Sequence, residues 1–291
     1  MKRRILTALL CCLMIVAIIP MYASADMGPK PSVTVTIEGV PEGTRYYATL
    51  LSNEESNGPL RAYALNRDDP TPYDEDPEQY AILQRFSQYY DSDRYYFLPQ
   101  FWECEGNDSF SWTYYPPDSF KILLYFPDRD SFTVSKIYEV YAFDSYYTVN
   151  LENNPIPVTA VSSYDHSDEV VSLVARLLLT VAIELVIALF FRFHEKKQLL
   201  LIGGVNIVTQ LLLHLSLNVA YYYNGSQQAV LVYVLAELLV CICEGALYAK
   251  LIPKVSRKPA TAGRAIGYAL TANAVSFAAG LGLAYLIPGL F

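Results

Sequence analysis

The sequence predicts an all-β, sandwich-like extracytoplasmic domain over residues 26–165, followed by an all-α four-helix transmembrane bundle over residues 166–291. Three observations predict this fold class. The N-terminus has the pattern of a secretory signal. Short segments with β-strand alternation then recur between Pro, Gly and Asp turns. Four apolar stretches follow, each long enough to cross a membrane, which requires about 20 residues.

Residues 1–25 are predicted to be a signal peptide. Residues 2–4 (Lys-Arg-Arg) form a charged start, residues 5–20 are apolar, and residues 23–25 (Ala-Ser-Ala) resemble a cleavage site. This order of charged, apolar and small residues is typical of exported chains. An uncleaved membrane anchor is the alternative interpretation.

Charge divides the chain into two parts. Residues 26–165 contain 23 acidic and 9 basic residues, a net charge of −14, whereas the rest of the chain contains 6 acidic and 12 basic residues. An acidic outer segment argues against nucleic acid as a partner and against docking on anionic lipid. Of the five cysteines only Cys104 lies in this segment, so an internal disulfide is not expected there.

Residues 26–165 contain more strand patterns than helix patterns. Polar and apolar residues alternate over residues 32–37, as in a strand with one buried face. The other predicted strands cover residues 46–51, 120–126, 132–135 and 146–151, with a further short strand within residues 137–143. One helix is predicted around residues 77–90, where apolar side chains recur at helical spacing. Short strands at regular spacing favour a β-sandwich.

Tyrosine is the distinctive residue of this segment, which holds 17 of the 25 in the chain. Many occur in pairs: Tyr46-Tyr47, Tyr89-Tyr90, Tyr95-Tyr96, Tyr114-Tyr115 and Tyr146-Tyr147. Neighbours in a strand point to opposite faces, so we expect one ring of each pair inside and one outside. Exposed rings suit the binding of a glycan, peptide or protein. The alternative is that tyrosine is simply a favoured strand residue.

Two acidic loops are candidate calcium sites. One runs from Asp68 to Asp76, and the other is Asp91-Ser92-Asp93. The second is followed by Arg94 rather than by the glycine that a sharp calcium-binding turn needs. We therefore interpret both as solvated loops.

The four predicted spans cover residues 170–191, 198–221, 229–249 and 265–286. The connections at residues 192–197 and 250–264 carry Lys and Arg, whereas the connection between the second and third spans carries neither. The positive-inside rule therefore places both basic loops in the cytoplasm and residues 26–165 outside the plasma membrane. We expect a multi-pass protein with the lipid bilayer as a partner.

Polar side chains recur in the spans at two depths. With a rise of about 1.5 Å per residue, the first layer lies about 9–13 Å from the cytoplasmic ends. It contains Glu184, Asn206, Glu244 and Asn273. The second layer, about 20–24 Å from those ends, contains Arg176, His214 and Glu237, and we expect an ion pair between Arg176 and Glu237. Spacings of three and four residues place these groups on one face of each of the first three helices, which should point into the bundle.

Glu184 and Glu244 share the first layer without a basic residue in it. Either one carboxyl is protonated, or a bound cation or cationic substrate neutralises the pair. The alternative is that the polar residues only join the helices by hydrogen bonds, worth about 0.6 kcal/mol each on average. In the last span, Gly263, Gly267, Gly280, Gly282 and several alanines are expected to allow close helix packing.

No pattern indicates a catalytic, metal-binding or cofactor-binding residue. The zinc signature His-Glu-x-x-His is absent. His214 and Asn218 match part of the pattern of CAAX-type intramembrane proteases. The Glu-Glu-x-x-x-Arg element that accompanies this pattern is missing, and Leu211 stands where Phe is expected. The sequence therefore does not favour an enzyme.

Several segments resemble an uncharacterised family of bacterial, Firmicutes-type membrane proteins. They are residues 112–117, 120–127, 141–147, 205–210 and 243–248. The resemblance implies a bacterial plasma membrane and the same order of signal peptide, Tyr-rich extracytoplasmic domain and four C-terminal transmembrane helices. It implies no activity.

Three hypotheses about function follow. The first is an envelope binding, sensing or anchoring protein, whose outer β-domain contacts an extracellular ligand. The second is a small transporter or ion or proton pathway, built on the intramembrane Glu, His and Arg residues. The third is a structural subunit of a membrane complex. The expected partners are the bilayer together with an envelope ligand or another membrane protein.

Overall fold

The computed structural model describes residues 30–63, 71–152 and 158–286. The chain divides into two compact units, one over Lys30–Asp165 and the other containing the described residues from His166 onward. The predicted fold class is confirmed, because a β-sheet unit precedes four helices that are long and apolar enough to cross a membrane. The predicted signal peptide and the acidic pair Asp68-Asp69 lie outside the described residues.

The described part of the first unit contains eleven strands and one α-helix. The strands are β1 (Ser32–Glu38), β2 (Arg45–Ser52), β3 (Ser56–Asn57), β4 (Leu60–Arg61), β5 (Tyr96–Phe97), β6 (Trp102–Glu105), β7 (Asp108–Trp112), β8 (Ser119–Phe126), β9 (Ser131–Glu139), β10 (Asp144–Asn150) and β11 (Ala160–Ser162). The helix α1 (Pro77–Ser87) lies between β4 and β5 in the chain. Five of the predicted strands and the helix are confirmed. The predicted strand at residues 132–135 and the short strand expected within residues 137–143 form one continuous strand, β9.

Two sheets form the sandwich. The first has the strand order β11-β10-β1-β7, and its β1 pairs in parallel with β10, with Val35 opposite Tyr147. The second has the order β5-β2-β8-β9, with β6 also on β2, and its pairs are antiparallel. Alternation in β1 directs Val33, Val35 and Ile37 into the space between the sheets. There they pack with Trp112 and residues of the second sheet.

The second sheet is covered on both faces. One face packs against the first sheet, whereas α1 covers the other with Ile82, Leu83 and Phe86. Asp76 caps the start of α1 by accepting hydrogen bonds from two backbone N–H groups. The β-sheet unit therefore has three layers, with the second sheet in the middle.

These layers decide which tyrosines are buried. The expectation of one ring inside and one outside is confirmed in β10, where Tyr147 is buried and Tyr146 is exposed. It is wrong in β2, where Tyr46 and Tyr47 are both buried. Because β2 lies between two layers, each of its faces meets a core.

The acidic loop Asp91-Ser92-Asp93 is not simply solvated. Asp91 is 4% exposed and accepts hydrogen bonds from Lys121 Nζ at 2.7 and 2.9 Å. The same Nζ donates to Asp93 Oδ2 at 2.5 Å. Burial would lower the pKa of Lys121, but its hydrogen bonds to Asp91 and Asp93 outweigh burial and raise the pKa. A lysine in the apolar run of β8 thus neutralises this loop.

The described part of the second unit contains three helices: α2 (Ser167–Phe190), α3 (Lys196–Val255) and α4 (Ala262–Leu286). Gly225 breaks α3, because its backbone angles (φ 75°, ψ −177°) suit glycine alone. The described residues thus contain four segments of membrane length: span 1 (Glu169–Phe190), span 2 (Lys196–Gly225), span 3 (Leu231–Val255) and span 4 (Ala262–Leu283). The four predicted spans are confirmed.

Alanines rather than glycines dominate the buried face of span 4. Ala265, Ala269 and Ala272 are fully buried in a core shared with the other spans. The predicted packing role of the glycines is wrong for Gly263 and Gly282, where an added Cβ would meet no described atom within 4 Å. Small side chains still allow the close approach, as expected for membrane helices.

Candidate functional site

The interior of the bundle contains an acidic centre, which we define as Glu184, Asn206, Glu244 and Asn273. Each span contributes one of these residues. Glu184, Asn206 and Glu244 are fully buried and Asn273 is 5% exposed. Protein, rather than lipid, therefore surrounds all four side chains.

Glu244 joins three spans. Its Oε1 accepts a hydrogen bond from Thr209 Oγ1 at 2.5 Å, and its Oε2 accepts one from Asn273 Nδ2 at 2.8 Å. The same Nδ2 donates to the backbone carbonyl of Ala269 at 3.0 Å. Both carboxylate oxygens of Glu244 thus have a neutral donor.

Glu184 is held by span 4. Tyr268 Oη donates to Glu184 Oε2 at 3.0 Å, and the Tyr248 ring packs on the Tyr268 ring with centroids 5.5 Å apart. Glu184 lies near enough to Glu244 for the two carboxyls to interact electrostatically. The two acids therefore belong to one centre, although they are bound by different neighbours.

Several buried polar atoms of this centre have no hydrogen-bond partner among the described residues. They are Glu184 Oε1, Asn206 Oδ1, Asn206 Nδ2 and Asn273 Oδ1. Asn206 lies beside Glu184, and its amide is the nearest candidate donor to the Glu184 carboxyl, although the contact is not a well-formed hydrogen bond. Buried polar groups are rarely left unpaired in native proteins, so such atoms point to a water molecule, an ion or another ligand.

A polar cavity of about 60 Å³ lies further along the bundle. It is lined by the other three predicted residues, Arg176, His214 and Glu237, together with Tyr233 and Gln210. A water molecule needs about 10–15 Å³ of such space, so the cavity has room for several. The structure brings Arg176 and Glu237 to one cavity, and their ion pair stays a prediction.

Tyr268 and Ser276 were not predicted at these sites. Tyr268 binds Glu184, and Ser276 lines the polar cavity. Tyrosine is common at membrane interfaces, so a tyrosine in a span does not stand out as a carboxyl partner. The available signal was that Tyr268 is the one aromatic residue in the Ala- and Gly-rich first half of span 4.

The β-sheet unit has a second candidate site, the turn Thr113-Tyr114-Tyr115 after β7. Contrary to expectation, both tyrosines are exposed, at 42% and 50%, and their rings meet edge to face at 4.7 Å. Trp112 Nε1 donates to the carbonyl of Tyr114 at 2.9 Å, and Asn57 Nδ2 donates to that of Tyr115 at 2.8 Å. Tyr115 has a φ of 49°, in the left-handed region that is rare for residues with a side chain. These hydrogen bonds thus fix the backbone of a turn that carries two exposed rings.

Comparison with known proteins does not assign this chain to a family, because no family model and no curated protein matches it. The chemistry of the acidic centre is therefore the basis for a functional proposal. Two buried carboxyls among hydroxyl and amide groups can take up a proton or a hard cation, since hard cations prefer oxygen ligands.

Proposed function

We propose that this integral membrane protein is a small transporter or ion pathway whose helical bundle takes up protons or cations. The acidic centre carries the proposal. Glu184 and Glu244 are fully buried, and within the described part of the chain every hydrogen bond to their carboxyls comes from a hydroxyl or an amide. Such donors leave negative charge uncompensated. Ionisable groups inside a membrane are costly and are typical of ion and proton paths.

Polar side chains also extend from the acidic centre towards the polar cavity. On span 2, Gln210 follows Asn206 by one turn and precedes His214 by one turn, and it lines the cavity. On span 3, Glu237 precedes Glu244 by two turns and lines the same cavity. Since the cavity has room for water, this arrangement supports a path more than an isolated site.

The proposed orientation places residues 26–165 outside the plasma membrane and the loops at residues 192–197 and 250–264 in the cytoplasm. The Lys and Arg residues of the two loops support it. Glu195 links these loops by accepting hydrogen bonds from the backbone N–H groups of Arg257 and Lys258, at 2.8 and 3.2 Å. Protease added to sealed, right-side-out vesicles should cleave residues 26–165 and spare both loops.

Flux in reconstituted liposomes tests the pathway. Wild-type protein should carry a proton or cation flux above that of empty liposomes, and Glu184→Gln/Glu244→Gln should remove it. Glutamine keeps the shape and hydrogen-bonding groups but carries no charge. The control Glu139→Gln changes an exposed acid of β9 and should leave the flux unchanged. No flux, or flux indifferent to the double substitution, contradicts the proposal.

A second candidate function is the binding of an envelope ligand by the β-sheet unit, with the bundle as its membrane anchor. The exposed pair Tyr114-Tyr115, carried on a hydrogen-bonded turn, favours it, since aromatic rings offer contact area at low entropic cost.

Full-length protein in nanodiscs should then retain cell-wall fragments. Tyr114→Ser/Tyr115→Asn should abolish this binding, and asparagine tolerates the left-handed backbone of residue 115. The control Tyr90→Ser changes another exposed ring, 80% accessible, and should bind as wild type does. If wild-type protein retains no fragment, this candidate fails and the structural-subunit hypothesis gains weight.

A further inference from the structure

A groove runs along the outside of the bundle between spans 2 and 3, and we call it the lateral groove. It has a volume of about 330 Å³ and is lined by six residues of span 2, from Leu200 to Thr209, and by Leu247 of span 3. Leu200, Val208 and Leu247 are exposed on the surface of the bundle, so the groove faces the lipid. Its one polar lining residue is Thr209, whose hydroxyl donates to Glu244 inside the bundle. The groove therefore offers apolar surface to the membrane.

The lateral groove has the length of one membrane leaflet. From Leu200 to Thr209 it extends about 14 Å along span 2, at the rise of an α-helix. The hydrocarbon core of a bilayer is about 30 Å thick, so one leaflet contributes about 15 Å. Gly204 deepens the groove because it has no side chain, and a Cβ there would meet no described atom within 4 Å. The groove therefore matches the length of an acyl chain that extends from one membrane surface.

Both helices that line the lateral groove also carry lysine on the lining face. On span 2, Lys196 precedes Leu200 by four residues, which places the two on the same helix face. On span 3, Lys250 and Lys254 follow Leu247 by three and seven residues, again on one face. All three lysines are exposed.

Contacts between spans 2 and 3 place these lysines at the same end of the groove, the end at Leu200. Gln198 Nε2 donates to Ser256 Oγ at 2.7 Å, and Tyr248 Oη donates to the carbonyl of Ile202 at 3.3 Å. The segment of span 3 between these two contacts contains both of its lysines. That segment runs beside the segment of span 2 that contains Leu200. The apolar groove thus ends at a group of positive charges.

The positive charge at this end is not compensated within the described part of the chain. The loops at residues 192–197 and 250–264 contain one acid, Glu195, whose carboxylate accepts from the backbone N–H groups of Arg257 and Lys258. The ion pairs among the described residues involve none of the exposed basic residues at this end, which are Arg192, Lys196, Lys197, Lys250, Lys254, Arg257 and Lys258. The positive-inside rule accounts for the side of the membrane on which they lie. It does not account for lysines at the end of a groove, where they can bind a phosphate group.

We propose that the lateral groove binds one anionic phospholipid. An acyl chain lies along spans 2 and 3, and the phosphate lies at Lys196, Lys250 and Lys254. The apolar lining and the length of the groove select the chain, and the uncompensated charge selects an anionic headgroup. Lysine suits this position, since its stem can lie on apolar surface while its ammonium group reaches the membrane interface. Lipid binding at this site requires neither the acidic centre nor transport, so the proposal goes beyond the proposed function.

Native mass spectrometry of the delipidated full-length protein in detergent tests the proposal, with titration by phosphatidylglycerol or by phosphatidylcholine. One phosphatidylglycerol per chain should bind more tightly than phosphatidylcholine. Lys196→Gln/Lys250→Gln should weaken the binding of phosphatidylglycerol about 10-fold or more, because each basic residue near the headgroup contributes to the attraction. Both lysines are exposed, so the substitutions should leave the fold intact.

The matched control is Arg257→Gln/Lys258→Gln. It removes the same charge from the same end of the bundle, at residues that follow span 3 and do not line the groove. The backbone N–H groups that bind Glu195 are kept. This variant should bind phosphatidylglycerol as wild type does.

A second pair of variants tests the acyl chain without changing any charge. Gly204→Leu fills the lateral groove and should abolish the tight phosphatidylglycerol site. Gly203→Leu is its control, since Gly203 does not line the groove and a Cβ there also meets no described atom within 4 Å. Circular dichroism verifies that both variants are folded.

Each result supports or overturns the lipid site. Equal affinity of wild type for the two lipids overturns it. Equal loss in the two double variants also overturns it, because the attraction is then a general effect of charge. Unchanged phosphatidylglycerol binding by Gly204→Leu rejects the groove as the seat of the acyl chain. If Gly204→Leu instead converts a wild-type dimer into a monomer at unchanged lipid affinity, a second copy of the chain occupies the groove.

Discussion

Buried charge has an oppositely charged partner in the β-sheet unit, whereas in the described part of the helical bundle the buried carboxyls have only neutral hydrogen-bond donors. In the β-sheet unit, Lys121 is buried with Asp91 and also binds Asp93, at N–O distances of 2.7 and 2.5 Å. In the described part of the bundle, Glu184 and Glu244 receive hydrogen bonds only from hydroxyl and amide groups. Opposite charges compensate each other and serve the fold, whereas two like charges require compensation from outside the chain. The bundle therefore contains the buried charge that folding alone does not explain.

The largest effect is expected from breaking the ion pair of the β-sheet unit. Lys121→Met leaves Asp91 buried without its cation, which should lower the free energy of unfolding by about 3–5 kcal/mol. Both tryptophans of the chain, Trp102 and Trp112, lie in this unit, so their fluorescence during urea unfolding reports on this unit. The control Lys136→Met replaces an exposed lysine of β9 and should change the stability by less than about 0.5 kcal/mol. A loss below about 1 kcal/mol for Lys121→Met would place this pair with weak surface ion pairs.

A smaller effect is expected at high pH. Burial would lower the pKa of Lys121, but its hydrogen bonds to Asp91 and Asp93 prevail and raise the pKa in the folded state. The stabilisation is then complete below the unfolded-state value of about 10.4 and is lost as the pH rises through the folded-state pKa. The difference in unfolding free energy between wild type and Lys121→Met should therefore shrink above about pH 10.4. Because both proteins contain the same tyrosines, the contribution of tyrosine ionisation cancels in this difference. A difference in unfolding free energy that stays constant with pH contradicts the prediction.

Helical spacing predicted the level of the acidic centre because the rise per residue of an α-helix is constant. The hydrogen bond between Glu244 and Asn273 agrees with the depths counted for these residues. Spacing along one helix does not encode how that helix is rotated towards its neighbours. For this reason Tyr268 could not be predicted as the partner of Glu184.

In the β-sheet unit, alternation predicted strands but not the long-range contacts between them. β1 follows from its alternating residues, but its parallel pairing with β10 brings together Ser32 and Asp144, which are 112 positions apart. Lys121 and Asp91 are 30 positions apart. The missed signal was a lysine in the apolar run of β8, since a buried charge requires a nearby counter-charge.

The smallest effect on stability is expected at the acidic centre, which separates it from the ion pair of the β-sheet unit. Glu184→Gln keeps the side-chain volume and an oxygen that accepts from Tyr268, while it removes one of two like charges. The unfolding free energy should change by less than about 1 kcal/mol, or about 2–4 °C in unfolding temperature by circular dichroism. Tyr268→Phe instead removes the donor to Glu184 and should cost about 1–3 kcal/mol. If Glu184→Gln destabilises the protein as much as Lys121→Met does, Glu184 is a structural group like Asp91, and the contrast between the two units disappears.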